Sequence, residues 1–269
     1  MKKKIFKSVL ILALISYLGI CGFFYFRQEA IIFHPKKIGI EQEYSFPENF
    51  EEQFIQTDSV NFVHALLFNA DSSKGLVIYF HGNAGALDTW GANAKFFTDL
   101  GYSVLMPDYR GYGKSSGEIG TEADFYKDML QVYDFGNSMF PEENIILTGN
   151  SLGTAMATNI AAQKNPGALI LLAPFLSMDH LRNHHYPFLP GFLLKYKFPN
   201  VDFIKDKKCP LLLIHGTNDE VVPVDHSRTL SQHLKPGDKF IEIKGAEHNG
   251  LQNLAEVKKG IEAWLNPGQ

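Results

Sequence analysis

The sequence predicts an α/β protein with a mostly parallel central sheet, helices on both faces and an antiparallel hairpin at its start. Three observations predict this fold class. Short, continuous apolar runs recur along the chain, as is typical of strands buried on both faces. Helical patterns separate these runs, and two β-rich runs precede the first of them. Alternating strands and helices favour a parallel sheet, because the helices provide the crossover connections.

The composition is that of a folded chain with no affinity for nucleic acid. The 269 residues are 45% hydrophobic and 13% aromatic, which excludes a disordered protein. A formal net charge of −4 leaves no global basic field, so we expect no nucleic-acid partner. The two cysteines, Cys21 and Cys209, are too few for a disulfide framework or a thiolate metal cluster. We predict no cofactor and no metal site.

Residues 1–27 are predicted to be a transmembrane anchor, and residues 28–269 to be the folded domain. Four lysines lie within the first seven residues, and the 19 residues 8–26 carry no charge. As a helix, this run would span roughly 28 Å, close to the thickness of the hydrocarbon core. The preceding lysines favour a cytoplasmic N-terminus, which places the domain on the non-cytoplasmic side of a single-pass protein. We expect residues 30–33 to lie against the membrane interface.

Two other interpretations of this segment are a cleaved signal and an internal core helix. The apolar run is longer than that of a typical signal peptide, and no small-x-small cleavage site follows it. A lipoprotein signal would use Cys21, but Ile20 stands where a small residue is expected. An uncleaved anchor therefore fits the segment best.

The predicted elements follow in order after the anchor. Residues 50–57 and 60–68 are predicted to form the hairpin around Asp58 and Ser59. The later strands are predicted at 75–80, 102–106, 145–148, 168–172, 211–214 and 240–243. Helical patterns cover 87–100, 121–139, 152–164, 225–234 and 251–265.

Residues 175–208 interrupt this alternation. The segment is rich in proline, glycine and aromatic residues, and we expect a short cap-like insertion over the sheet rather than a second domain. Its stretch 188–194 is apolar enough to contact a lipid or an acyl chain. The alternative is that its aromatic side chains pack onto the edge of the sheet.

The carboxyl ends of the predicted strands carry the candidate catalytic residues, because ligands of open α/β sheets bind there. Ser151 is the centre of the sequence G-N-S-L-G at 149–153, directly after a predicted strand and before a predicted helix. Such a sharp turn needs glycines and exposes the serine. The N-terminus of the helix can stabilise negative charge beside it. Ser151 is therefore the candidate nucleophile.

His248 and Asp219 are the candidate base and acid. A serine hydroxyl needs a base to become a nucleophile at neutral pH, and the base needs a carboxylate to orient it. Each of the two residues follows a late predicted strand, and the chain order is serine, aspartate, histidine. Asp179 and Glu220 remain alternative acids.

The other histidines and one further aspartate have more ordinary interpretations. We expect His184 and His185 to line or cover the entrance, and His226 and His233 to lie on a solvated helix surface. Asp108 is expected to bond loop N–H groups. A Gly-Lys-Ser sequence at 113–115 does not predict nucleotide binding, because Asp108 stands where a phosphate-binding loop needs a glycine.

Two backbone N–H groups are predicted to form an oxyanion hole. The N–H of Leu152 follows the nucleophile directly, and the second donor is expected from the turn after the strand 75–80. Asn83 is the candidate for that donor. His81, in the same turn, is expected to be a buried hydrogen-bonding residue rather than a second base.

Together these motifs resemble the α/β-hydrolase superfamily. The sequences H-G-N-A-G at 81–85 and G-N-S-L-G at 149–153 are most similar to its membrane-anchored α/β-hydrolase domain-containing members and to the serine aminopeptidase and lysophospholipase-like group. The stretches 109–113 and 215–223 match the same group, and the resemblance covers nearly the whole chain beyond residue 30. It implies the α/β-hydrolase fold and a serine nucleophile. It does not imply one substrate, since the group includes esterases, thioesterases and lipases.

The sequence therefore predicts a serine hydrolase that cleaves an ester or thioester, of a small molecule or an acyl lipid, through an acyl-enzyme. One alternative is a catalytically silent, membrane-tethered binding protein on the same fold. A second is a peptidase or amidase of that fold. A transferase or haloalkane-type enzyme is a third, although a serine in place of an aspartate nucleophile disfavours the haloalkane type. The oligomeric state stays open.

Overall fold

The computed structural model describes residues 1–266, and an eight-stranded sheet forms its centre. Two short strands, β1 (His34–Pro35) and β5 (Ala84–Gly85), pair separately from it. The strands of the central sheet are β2 Phe50–Gln56, β3 Phe62–Phe68, β4 Leu76–Phe80, β6 Ser103–Pro107, β7 Ile145–Asn150, β8 Ala168–Leu172, β9 Leu211–Gly216 and β10 Lys239–Ile243.

The central sheet is mostly parallel, as predicted. Its spatial order is β10-β9-β8-β7-β4-β6-β3-β2. The strands from β10 to β6 run parallel, whereas β3 is antiparallel to both β2 and β6. Strands β4, β6, β7, β8 and β9 are buried along their whole length, because helices cover both faces of the sheet. The predicted fold class is confirmed.

Nine α-helices are present in residues 1–266. They are α1 Lys2–Ile32, α2 Leu87–Trp90, α3 Ala94–Asp99, α4 Glu122–Met139, α5 Gly153–Gln163, α6 Met178–His185, α7 Asn200–Asp206, α8 Asp225–Leu230 and α9 Ala255–Leu265. The helix predicted at 87–100 is divided by a 3₁₀ turn at 91–93, and the helix predicted at 225–234 ends in a 3₁₀ turn at 231–233. The side chains of α4 and α5 pack on one face of the sheet, and those of α3 and α9 on the other.

Helix α4 begins at Glu122, one residue after the predicted start, and its first turn carries a capping box on Thr121. The Thr121 hydroxyl accepts a hydrogen bond from the Asp124 N–H, and the Asp124 carboxylate accepts one from the Thr121 N–H. These bonds satisfy two donors that the start of a helix would otherwise leave unpaired. The helix therefore starts sharply.

Helix α1 is a single 31-residue helix that is long and apolar enough to cross a membrane. It runs five residues past the predicted end of the anchor, to Ile32. The expected interfacial position of residues 30–33 is wrong for Phe33, which is 2% exposed and stacks on Phe125 with a centroid distance of 5.1 Å. Directly after Phe33, the His34 N–H donates a hydrogen bond to the Asn83 carbonyl, which holds the end of α1 against the folded domain.

Residues 175–208, which we call the insertion, contain α6, a 3₁₀ turn at 191–193 and α7. Its aromatic side chains divide between two surfaces. Tyr196 and Phe198 are buried in the core of the domain, where they pack against Phe33 and Phe125. Tyr186 and Phe188, by contrast, pack against Phe24 of α1. The insertion thus joins α1 to the sheet.

Candidate active site

Ser151 occupies a sharp turn between β7 and α5. Its φ of +50° lies in the left-handed region that non-glycine residues rarely adopt, and its N–H donates to the Leu172 carbonyl at 2.9 Å. The flanking glycines allow this turn. A Cβ at Gly149 would lie 2.6 Å from the Gly153 carbonyl oxygen, and one at Gly153 would collide with the Phe80 carbonyl. This turn leaves the half-buried Ser151 at the carboxyl end of β7.

The structure brings Ser151, His248 and Asp219 into one hydrogen-bonded chain. The Ser151 hydroxyl lies 2.9 Å from His248 Nε2, and His248 Nδ1 lies 2.6 Å from Asp219 Oδ2. The side chain of His248 is 12% exposed and that of Asp219 is fully buried. With Nδ1–H donating to the carboxylate, Nε2 is free to accept the serine proton.

Asp219 is held in its ionised form. Burial alone would raise the pKa of this carboxyl, but hydrogen bonds from His215, His248 and the Val222 N–H hold the pKa well below its usual range. Oδ1 accepts from the Val221 and Val222 N–H groups at 2.9 and 2.7 Å. A carboxylate fixed in this way can orient His248 and stabilise its positive charge.

The sequence reasoning missed His215, which lies at the end of β9 and is fully buried. Its Nδ1 lies 2.6 Å from the Ser227 hydroxyl, and its Nε2 lies 2.8 Å from the Val222 carbonyl and 3.1 Å from Asp219 Oδ2. His215 therefore helps to hold Asp219 in place without touching Ser151. The signal available in the sequence was a histidine ending a buried strand, four residues before Asp219.

The alternative acids lie outside this chain of hydrogen bonds. Asp179 is on α6, where its half-exposed carboxylate accepts from Arg182 at 2.9 Å. Glu220 is exposed and lines an open polar cleft beside His248. Neither carboxylate is hydrogen-bonded to an imidazole, whereas Asp219 contacts two of them.

The expected surface position of His226 is wrong. The side chain is buried where α8 packs against the loop after β8, and Nδ1 accepts the Leu176 N–H at 3.0 Å. Burial, followed by the neighbouring His180, His215 and His184, lowers the pKa of His226 to about 4. His226 therefore supports the loop as a neutral acceptor.

The two candidate oxyanion donors are the N–H groups of Leu152 and Asn83. Neither N–H has a hydrogen-bond partner within residues 1–266. The carbonyl and the side-chain amide of Asn83 hold this residue in place. Its carbonyl accepts from His34 and from the Tyr112 hydroxyl, and its side-chain amide donates to the Ile32 carbonyl at 2.9 Å. Both N–H groups are thus available to a ligand.

His81 and Asp108 occupy buried positions beneath the turn that carries Asn83. The His81 ring is fully buried, with Nδ1 2.7 Å from the Gly82 carbonyl and Nε2 3.3 Å from the Asp108 carboxylate. Asp108 also accepts from the Leu87 N–H at 3.4 Å. The contacts of both residues support this turn, and neither contacts Ser151.

A family model described as serine aminopeptidase, S33, matches residues 71–203. Over 252 residues the chain is 30% identical to an uncharacterized protein of Mycobacterium tuberculosis, covering 91% of this chain and 89% of that one. It is 33% identical over 232 residues to the lysophosphatidylserine lipase ABHD12 of Macaca fascicularis, covering 74% of this chain and 57% of the lipase. The chain belongs to the α/β-hydrolase superfamily.

Solved hydrolase structures share its fold. Est1E from Butyrivibrio proteoclasticus, solved with ferulic acid bound, has a TM-score of 0.67 at 22% identity, and the match covers 79% of this chain and 97% of Est1E. The Pyrococcus furiosus esterase Pf2001 has a TM-score of 0.68 at 20% identity, and the match covers 86% of this chain and 98% of the esterase. The protein is thus an α/β hydrolase with esterases and lipases among the proteins it resembles.

Proposed function

We propose that this hydrolase is a serine esterase that cleaves a carboxylic ester or thioester through an acyl-enzyme. The observation that carries the proposal is the hydrogen-bonded chain from Ser151 through His248 to Asp219, with distances of 2.9 and 2.6 Å. An intact chain of this kind supports an active enzyme over a catalytically silent binding protein, because each member has the partner that its role requires.

The geometry supports the following acylation step. The Ser151 oxygen attacks the carbonyl carbon while His248 Nε2 takes the hydroxyl proton. The oxyanion accepts hydrogen bonds from the N–H groups of Leu152 and Asn83. The tetrahedral intermediate collapses, His248 returns the proton to the leaving alcohol or thiol, and the acyl group stays on Ser151.

Deacylation repeats these roles with water. His248 takes a proton from a water molecule, whose oxygen attacks the acyl carbonyl. Collapse of the second tetrahedral intermediate breaks the bond to Ser151, which regains its proton from His248, and the carboxylic acid leaves. The buried, ionised Asp219 keeps His248 in the correct tautomer throughout.

The resemblances support an ester over an amide substrate. The family model carries an aminopeptidase description, whereas the named relative from Macaca fascicularis, at 33% identity, is a lysophosphatidylserine lipase. Oxygen and sulfur leaving groups also need less protonation by His248 than an amine does. A peptidase is therefore the second candidate, and a peptide substrate belongs in the test.

We further propose that residues 1–27 anchor the enzyme in a membrane and that residues 28–269 form the catalytic domain. Helix α1 has the length and hydropathy of a membrane-spanning helix, and its first 20 residues are exposed. The lysines before the span favour a cytoplasmic N-terminus and a non-cytoplasmic domain.

The test is hydrolysis of p-nitrophenyl esters by purified wild type and Ser151→Ala. We expect the substitution to leave the protein folded and to lower kcat by several orders of magnitude. Ser138→Ala is the matched control, because Ser138 is exposed on α4 and far from the turn. A fluorophosphonate probe should label wild type and Ser138→Ala only. Turnover retained by Ser151→Ala contradicts the mechanism, and faster cleavage of aminoacyl p-nitroanilides than of esters assigns a peptidase instead.

A further inference from the structure

A cavity of about 120 Å³ lies between α1 and the insertion, and we call it the helix–insertion cavity. Residues 24–32 of α1 form one wall and residues 178–194 of the insertion form the other. Its volume greatly exceeds the roughly 15 Å³ that a water molecule needs. Water gains little in such an apolar space, because it finds few hydrogen-bond partners there. The cavity therefore suits an apolar ligand.

Two polar residues in its walls, Gln28 and Arg182, are already paired. The Gln28 amide donates to the Leu193 carbonyl at 3.0 Å and accepts the Lys195 N–H at 2.8 Å. Arg182 donates to the Asp179 carboxylate and to the Leu189 carbonyl. The bonds of Gln28 hold α1 and the insertion together, and those of Arg182 brace the insertion itself, while the surfaces that face the cavity are almost entirely hydrocarbon.

The cavity lies at the level where α1 would enter the bilayer. The uncharged run of α1 ends at Phe26, and the cavity begins beside Phe24. The insertion reaches further along α1, since the Tyr17 hydroxyl donates to the Phe188 carbonyl at 2.9 Å. Tyr17 lies roughly 14 Å before Phe26 along the helix axis. With α1 spanning the membrane, the exposed Phe188 and Phe192 of the insertion would meet lipid.

Both walls of the cavity also contact the catalytic loops. On the α1 side, the Ile32 carbonyl accepts from the side-chain amide of Asn83. On the insertion side, His185 Nε2 donates to the Val221 carbonyl at 2.9 Å, and the Val221 N–H donates to Asp219. The cavity thus lies between the lipid-facing part of α1 and the loops that carry the proposed oxyanion donor and acid.

We propose that the helix–insertion cavity is an acyl-chain subsite, in which the fatty acyl chain of a membrane lipid ester lies between α1 and the insertion while its carbonyl is held at Ser151. This assignment rests on the esterase function proposed above. It makes α1 part of the substrate-binding surface as well as an anchor. The substrate class is a long-chain acyl ester that reaches the site from the membrane.

The test compares p-nitrophenyl acetate with p-nitrophenyl dodecanoate, using full-length protein in phosphatidylcholine nanodiscs. Leu193→Trp adds bulk to the cavity wall. Phe192→Trp is the matched control, because Phe192 is the neighbouring residue but is 84% exposed and outside the cavity. We expect wild type and Phe192→Trp to have a higher kcat/KM for the dodecanoate than for the acetate. Leu193→Trp should lower kcat/KM for the dodecanoate about tenfold or more, the effect of displacing two buried methylene groups, and leave the acetate unchanged.

Ile31→Trp fills the cavity from the α1 side and is the variant to test in the same way if Leu193→Trp does not fold. Equal kcat/KM for the two esters in wild type, or equal chain-length profiles in the cavity variants and Phe192→Trp, overturns the subsite and leaves the esterase function standing. Failure of wild type to hydrolyse either ester overturns the esterase function, and the subsite with it.

Discussion

At the scale of single residues, the candidate site depends on the ionisation of Asp219. This buried carboxylate accepts from two imidazoles and two backbone N–H groups, so its negative charge is compensated on every side. Such a charge is costly to bury unless it is paired in this way. His215, Val221 and Val222 therefore stabilise the ionised Asp219, which in turn holds the ring of His248.

We predict that Asp219→Asn lowers kcat for p-nitrophenyl esters by about four orders of magnitude, because the imidazole loses both its correct tautomer and its countercharge. Asp179→Asn is the control, since Asp179 is bonded only to Arg182 on the same helix, and it should change kcat less than about twofold. Steady-state measurement of kcat for both variants tests whether Asp219 is the catalytic acid. The reverse result would place the acid on the insertion.

His226 predicts a pH dependence of stability. Its pKa is about 4 in the folded protein and near 6.5 in the unfolded chain, so between these values the unfolded state binds more protons. The stabilisation is fully present above the unfolded pKa and is lost as the pH falls toward 4. His180, His184 and His215 lower this pKa further, and Asp225 opposes them.

We therefore expect the free energy of unfolding of wild type to fall between pH 7 and pH 5 by about 1 kcal/mol more than that of His226→Asn, allowing for solvent screening. The Asn carbonyl can accept the Leu176 N–H in place of Nδ1 but does not titrate. Urea unfolding at the two pH values measures this difference. Parallel losses in the two proteins would mean that His226 does not titrate in this range.

At the scale of elements, the close approach of α5 to β4 shapes the turn at Ser151. Gly153 opens α5, and a Cβ there would collide with the Phe80 carbonyl and lie 2.8 Å from that of His81. The same contact places the Leu152 N–H beside the loop of Asn83. The spacing of glycines around Ser151 thus follows from the packing of a helix start on a strand end.

We predict that Gly153→Ala lowers the free energy of unfolding by about 2 kcal/mol and also lowers kcat, because the added methyl group must push α5 away from β4. Gly39→Ala is the matched control, since a Cβ at Gly39 meets no atom within 4 Å. Thermal unfolding and ester hydrolysis measure both effects. A Gly153→Ala protein as stable and active as Gly39→Ala would contradict this account of the turn.

At the scale of the whole molecule, α1 contacts the rest of the chain in two places. Its side chains pack against the insertion, and the chain that leaves it pairs with the loop of Asn83 through β1 and β5. With α1 spanning a membrane, as we propose, this attachment would fix the orientation of the domain relative to the membrane, since no long linker separates them.

We predict that the full-length protein stays in the membrane fraction after carbonate washing, because burial of the 19-residue apolar run outweighs its few polar atoms. Protease added to intact spheroplasts should digest the domain, since the preceding lysines favour a cytoplasmic N-terminus. Release by carbonate would contradict the anchor. Protection of the domain until the membrane is permeabilised would contradict its orientation.

The sequence by itself determined the fold class and the place of the candidate site. Buried parallel strands require continuous apolar runs, so their positions can be predicted from local composition. The strand predicted at 168–172, for example, has the same bounds as β8 in the structure. Because parallel strands end at one edge of the sheet, Ser151, Asp219 and His248 were expected together, and the structure places them within hydrogen-bond distance.

Only the tertiary structure decided which other surfaces meet. The burial of His226 depends on a backbone N–H 50 residues away, and that of Phe33 depends on aromatic rings of α4 and the insertion. The helix–insertion cavity likewise exists only where residues 24–32 face residues 178–194. The local sequence pattern predicts the periodicity and hydropathy of a segment, but it does not predict which distant residues that segment contacts. The burial of His226 and Phe33 and the pKa of His226 depend on contacts between segments far apart in the chain. Only the folded structure shows these contacts.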